Sequence, residues 1–206
     1  MRRSQRNQGA SRSRLPSVII SAHPRSGIMI DALPNTVPGF DEPLAMLRAC
    51  HDRIRRQLSV LERLCRHLPE FGCDADARKA ALSILKYFDG AAPNHDADEE
   101  ASLFPRLLDA AGADASALIE RLAIEHAELK SLWRVMRPDI AAIEAGKRSV
   151  LTPDSVRRMR AAYLSHLDCE EAELFPLAAA RLDAAALQAI GAEMAARREA
   201  TYSPAR

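Results

Sequence analysis

His95-Asp-Ala-Asp-Glu99-Glu100-Ala-Ser-Leu103-Phe104-Pro105 and His166-Leu-Asp-Cys-Glu170-Glu171-Ala-Glu-Leu174-Phe175-Pro176 are two copies of one phrase, His-x3-Glu-Glu-x2-Leu-Phe-Pro, 71 residues apart. On a helix, positions i and i+4 lie one turn apart on the same face, so each copy aims an imidazole and a carboxylate at one point. Neutral imidazole and ionised carboxylate are both good ligands for iron, zinc or manganese. A duplicated pair of this kind predicts a metal site built inside a helical fold.

The flanking sequence supplies the helices. A first segment is expected from about Asp41, with Pro43 suited to a first turn, to Leu68 before Pro69 and Gly72. Its seam reads Leu44, Leu47, His51, Ile54, Leu58, Leu61, Cys65, Leu68. A second runs from near Asp74 to Ala111-Gly112 with a kink or break at Pro93, and its seam is Leu85, Phe88, Ala92, His95, Glu99, Leu103. A third, from near Ala115 to Ala145 and bent at Pro138, carries Ile119, Leu122, His126, Leu129, Trp133, Met136, Ile140 and Ile143. The fourth opens at Thr152-Pro153-Asp154, with Thr152 as cap, and continues Val156, Met159, Tyr163, His166, Glu170, Leu174, Leu177. Such stripes, joined by short loops, predict an all-α, up-down-up-down four-helix bundle. A short helix around Asp183–Arg198 is expected to cap or dock on it.

Composition agrees. Aromatics are 4% of the 206 residues, Gly is scarce, and nothing resembles the alternation of a sheet. The net charge of +1 is unevenly spread: residues 1–40 hold six Arg against one acid, Asp31, so the remainder is mildly acidic. That argues against nucleic acid as a partner. Leu15–Ile20 is too short for a membrane span or a signal-peptide core. The expected division is a basic, disordered leader over residues 1–39, the metal-binding bundle over 40–182, and a C-terminal helix and tail over 183–206. Targeting by the Arg- and Ser-rich leader is the alternative. Cys50, Cys65, Cys73 and Cys169 are scattered and form no CxxC, which makes a reducing cytoplasm the default.

Of six histidines, His23 lies in the leader and His67 falls off the seam. The other four, one per helix, occupy positions that a plain bundle would give to Leu or Ile, as do Glu99 and Glu170. Burying unpaired carboxylates costs several kcal/mol or shifts their pKa until they protonate, unless something cationic sits among them. Six ligands overfill a tetrahedral zinc site. They suit two metals with two imidazoles each and both carboxylates bridging, leaving positions for an oxo or hydroxo bridge and a small ligand. Five residues advance a helix by about 500°, so Glu100 and Glu171 point away and are expected in solvent or as outer acceptors. The alternatives are metal-free imidazolium–carboxylate pairs, or Glu100 and Glu171 as the inward groups. Leu103-Phe104 and Leu174-Phe175 read as apolar closure of the site. Cys50 and Cys169 point off the seam. Tyr163 reads as seam packing, with hydrogen bonding to a bound ligand as the alternative.

The order His51, His95-x3-Glu99, His126, His166-x3-Glu170 resembles the bacterial hemerythrin-like proteins of the His-His-Glu cation-binding group, over about residues 40–180. The resemblance implies His51, His95, Glu99, His126, His166 and Glu170 as metal ligands and a non-haem di-iron centre, with zinc or manganese also compatible. It implies binding, sensing or buffering of O2, NO or iron, or else a di-iron redox enzyme turning over peroxide or nitric oxide, or an iron–sulfur cluster repair factor. Oxygen carriers of the group place two histidines four residues apart on the third helix, whereas Leu122 and Lys130 flank His126 here. They also carry their last carboxylate at i+5, where this chain offers Glu170 at i+4. These departures weigh against reversible oxygen carriage. The leader has no cysteine, which weighs against the repair role, and no fused receptor domain marks a chemotaxis sensor. A ferritin-like carboxylate protein would need Glu-x-x-His, which is missing from the sequence.

Overall fold

The computed structural model describes residues 38–202, with side chains through residue 199. The leader expected over 1–39 thus lies almost wholly outside the described residues, as do residues 203–206. Among the described residues every regular element is helical. α1 spans Pro43–Phe71, α2 Ala75–Lys86, α3 Ala92–Ala97, α4 Phe104–Ala111, α5 Ala113–Glu144, α6 Pro153–Cys169, α7 Phe175–Arg181 and α8 Ala184–Tyr202. α2, α3 and α4 form one interrupted rod, and α6 and α7 another. The breaks are π-helical segments at Tyr87–Ala91, Asp98–Leu103 and Glu170–Leu174.

Local chemistry accounts for most boundaries. Pro43 opens α1 in its first turn, where a missing N–H costs nothing. Gly72 (φ 70°), Gly112 (φ 53°) and Gly146 (φ 72°) adopt the left-handed region at the turns after α1, α4 and α5. Asp74 caps α2 by accepting from the Ala77 N–H at 2.8 Å. Thr152 precedes α6 as expected but makes no capping hydrogen bond with its side chain, so Pro153 alone shapes that start. α1 does not stop at Leu68; it runs through Pro69 to Phe71. α5 likewise continues through Pro138.

The π segments are the main departure from the expected helices. Each is followed at once by an α-helix with proline at its second position: Pro93, Pro105 and Pro176. Proline removes one N–H and crowds the carbonyl four residues back, and a turn carrying an extra residue relieves both. Proline alone does not suffice, since Pro69 and Pro138 lie inside uninterrupted α-helix. The extra residue slips the register: beyond Leu174 the buried positions are Phe175 and Ala178, while Leu177, predicted on the seam, is only half-buried.

α1 packs against α2 and α6, and α5 packs against the same two, so the rods close a ring. α8 docks on α1, α3 and the π segment at Asp98–Leu103. The core is two apolar clusters. One gathers Ile54, Leu61, Ile84, Phe88, Trp133, Met159 and their neighbours. The other gathers Leu47, Leu103, Phe104, Leu122, Leu174 and Phe175 with Ile190 and Met194 of α8. The ionisable seam residues fall between the two clusters along their helices.

Candidate metal centre

His51 from α1, His95 from α3, His126 from α5 and His166 from α6 are all buried, as are Glu99 and Glu170, the latter pair with no exposed surface. Both carboxylates come from π segments. The six groups meet. His51 Nε2 lies 3.1 Å from Glu170 Oε2, and His166 Nε2 lies 3.0 Å from Glu170 Oε1. His126 Nε2 is 3.4 Å from Glu99 Oε2 and 3.6 Å from Glu170 Oε1, and His95 Nε2 is 3.7 Å from Glu99 Oε2. Two overlapping sets result, His51–His95–Glu99–Glu170 and Glu99–His126–His166–Glu170, within each of which the ligand atoms all lie within 4.8 Å of one another. Ligands about 2.0–2.2 Å from a common metal would be separated by comparable distances. Both sets share the two carboxylates.

Despite these approaches, both oxygens of Glu99 and Glu170, and the Nε2 atoms of His51, His95 and His126, make no hydrogen bond among the described residues. Buried polar groups are seldom left so. The electrostatics carry the same message. Burial, reinforced by the charge of Glu170, pushes the Glu99 carboxyl well above its usual range. Burial also opposes charge on Glu170, but His126, His166 and His51 surround it and hold it well below that range. Burial and then the neighbouring His51 push His95 well below the ordinary imidazole value. For His126, burial is outweighed by Glu170 and Glu99, which carry it up to about 11. Without a metal, the cluster keeps protons where ligation needs bare lone pairs; a cation would replace them. The donor set, nitrogen and oxygen without thiolate, fits such a cation.

A second ring of carboxylates orients three of the four imidazoles through their outer nitrogens. His51 Nδ1 meets Glu171 at 2.8 Å, and Arg55 holds the same oxygen at 2.7 Å. His126 Nδ1 meets Glu100 at 2.9 Å, and Lys130 holds that oxygen at 2.7 Å. His166 Nδ1 meets Glu125 at 2.8 Å. Glu100 and Glu171 were expected in solvent or as outer acceptors, and they stand as acceptors. Glu125 was not anticipated. Its only signal in the sequence was its place beside His126, and its partner lies on another helix. Phe175 stacks on His51 and Phe104 on His126, with ring centroids 5.1 and 5.9 Å apart, so the Leu-Phe pairs close one end. Leu122 is fully buried in apolar surroundings and Lys130 is engaged by Glu100. Tyr163 packs edge-on against Phe88 at 5.5 Å. Neither Cys50 nor Cys169 joins the cluster.

Comparison with known proteins places this geometry. The hemerythrin HHE cation-binding domain matches residues 42–178. The chain belongs to that family. It is also similar to an uncharacterized protein of Haemophilus influenzae, 30% identical over 166 residues that cover 81% of this chain and 95% of that protein. The all-helical architecture and the buried histidine–glutamate groups able to hold a metal are those of a hemerythrin-like, cation-binding bundle. No helix among the described residues is long and apolar enough to cross a membrane.

Proposed function

We propose that the protein holds a dinuclear non-haem iron centre, with His51 and His95 on one ion, His126 and His166 on the other, and Glu99 and Glu170 bridging. Through it the protein binds, senses or buffers O2, nitric oxide or iron. The observation that carries this reading is the pair of ligand sets sharing two carboxylates whose oxygens make no hydrogen bond among the described residues. Zinc or manganese would suit the same donors. Bound iron would supply a redox-active, Lewis-acidic centre with positions open to a small ligand. The chain's own contribution is to fix three imidazoles through Glu171, Glu100 and Glu125, and to wall the ions with Phe104, Phe175, Leu103 and Leu174, which keep water out.

The rods run up-down-up-down, supported by the short connections and the closed ring of packing. Residues 40–182 act as the metal-binding unit, 1–39 as a leader and 183–206 as an appended helix and tail. The scattered, unpaired cysteines favour the cytoplasm. The single imidazole on α5 leaves one ligand fewer than in the oxygen carriers, which favours sensing or redox chemistry over reversible carriage.

Mixing the iron-loaded protein with nitric oxide, O2 or peroxide, with His95→Ala as control, tests the choice between binding and catalysis. Stoichiometric binding without turnover is expected. Sustained turnover lost in the control would make the protein a di-iron redox enzyme instead.

A further inference from the structure

The centre has an internal two-fold correspondence that pairs α1 with α5 and the two His-x3-Glu-Glu rods with each other. Under it His51 matches His126, Glu171 matches Glu100, Arg55 matches Lys130 and Phe175 matches Phe104. The contacts follow suit: Arg55–Glu171–His51 on one side and Lys130–Glu100–His126 on the other. Phe175 on His51 likewise mirrors Phe104 on His126. One element breaks the match. His166 Nδ1 is held by Glu125, the residue immediately before His126. Its counterpart before His51 is Cys50, and the corresponding imidazole, His95, has an Nδ1 with no hydrogen-bond partner among the described residues. A thiol is a weak acceptor where the other half has an anionic one.

Resting on the dinuclear reading above, we propose that the two metal positions are unequal. The one between His126 and His166 is tight, and the one between His51 and His95 is labile, because Cys50 stands where the symmetry calls for a carboxylate behind His95. A carboxylate on the outer nitrogen fixes the tautomer and ring orientation of a ligating histidine and raises its basicity. His126 and His166 both have this support. Glu125, moreover, pairs with no Lys or Arg among the described residues. Among the described residues His51 has support through Glu171 only, and His95 has none. Loss of such a partner lowers metal affinity by roughly 10- to 100-fold, which sets the expected gap between the halves. The protein would therefore keep one ion resident and exchange the other.

Cys50 opens onto a cavity of about 320 Å³ lined also by Arg53, Lys86, Tyr87, Asn94 and Arg198. That space would admit a longer, acidic side chain, and Cys50→Glu tests whether a carboxylate there restores the missing support.

Anaerobic titration of the metal-free protein with ferrous ion against a competing chelator, repeated with zinc, tests the inference. Two binding steps separated by roughly tenfold or more are expected. His95→Ala should delete the weak step and move the tight one by less than about tenfold, whereas His166→Ala should damage the tight step. Cys50→Glu should tighten the weak step toward the strong one. Glu125→Cys, at a partly exposed position, should weaken the strong step toward the weak one, which keeps the inference exposed if Cys50→Glu does not fold. Two equal steps in the parent protein, or a tight step indifferent to Glu125→Cys, would overturn the inequality and leave the dinuclear reading standing. Fewer than two ions bound at saturation would overturn both.

Discussion

Glu99 and Glu100 are neighbours in the chain with opposite tasks. Glu99 is sealed inside the bundle against His95 and His126, while Glu100 is 39% exposed and backs His126 from outside. Glu99→Ala and Glu170→Ala should each remove most metal binding. Glu100→Gln should lower affinity by only about 10- to 100-fold, the effect expected of an outer partner. Equilibrium dialysis of the three variants checks this, and equal losses at Glu99 and Glu100 would refute the assignment. Which carboxylate turns inward was legible because i+4 spacing is a property of one helix. Glu125 was not legible because its partner, His166, lies on another helix. Contacts of that kind depend on how rods are rotated against each other, which seam spacing states only to within a turn.

At the level of helices, glycine and proline marked most ends of the rods, and the apolar stripes marked their inner faces. The π segments were invisible because a proline within a helix has several outcomes. At Pro69 and Pro138 the helix continues, while at Pro93, Pro105 and Pro176 an extra residue is accommodated ahead of it. Deleting Ala172, an exposed residue, should convert the last π segment to ordinary α-helix and leave Phe175 and Ala178 facing the core, because the lost residue and the lost wide turn cancel. A melting temperature near the parent's is expected, and a large fall would contradict this. Asp74 offers a second test. Burial opposes its charge, but the Ala77 N–H and His67 hold its carboxyl below the usual 3.8. Its stabilisation is therefore present above that value and lost as pH falls through the depressed one. Asp74→Ala should cost about 1 kcal/mol near neutrality, and the difference from the parent should shrink in urea melts at acid pH.

The bundle as a unit is tied to α8 by a buried charge. Asp98, with no exposed surface, accepts from Arg197 and from Arg198 Nη2, the latter at 2.6 Å, one residue before the inward Glu99. That an appended helix would dock was readable from its sequence. Its anchoring on the metal-bearing π segment was not, since Asp98 looks like any acid in an acidic run. Replacing both arginines with alanine would strand a buried carboxylate and should cost about 3–5 kcal/mol. Urea denaturation reads that cost, and a loss below about 1 kcal/mol would mean that α8 is incidental to stability. Two redox-active iron ions are proposed to fill the space among the four imidazoles and two carboxylates. Metal analysis of protein purified without oxygen, followed by an optical spectrum after oxidation, tests this directly. About two iron ions per chain and a near-ultraviolet band from an oxygen-bridged pair are predicted; protein that holds zinc alone, or no metal, and shows no redox response would contradict it.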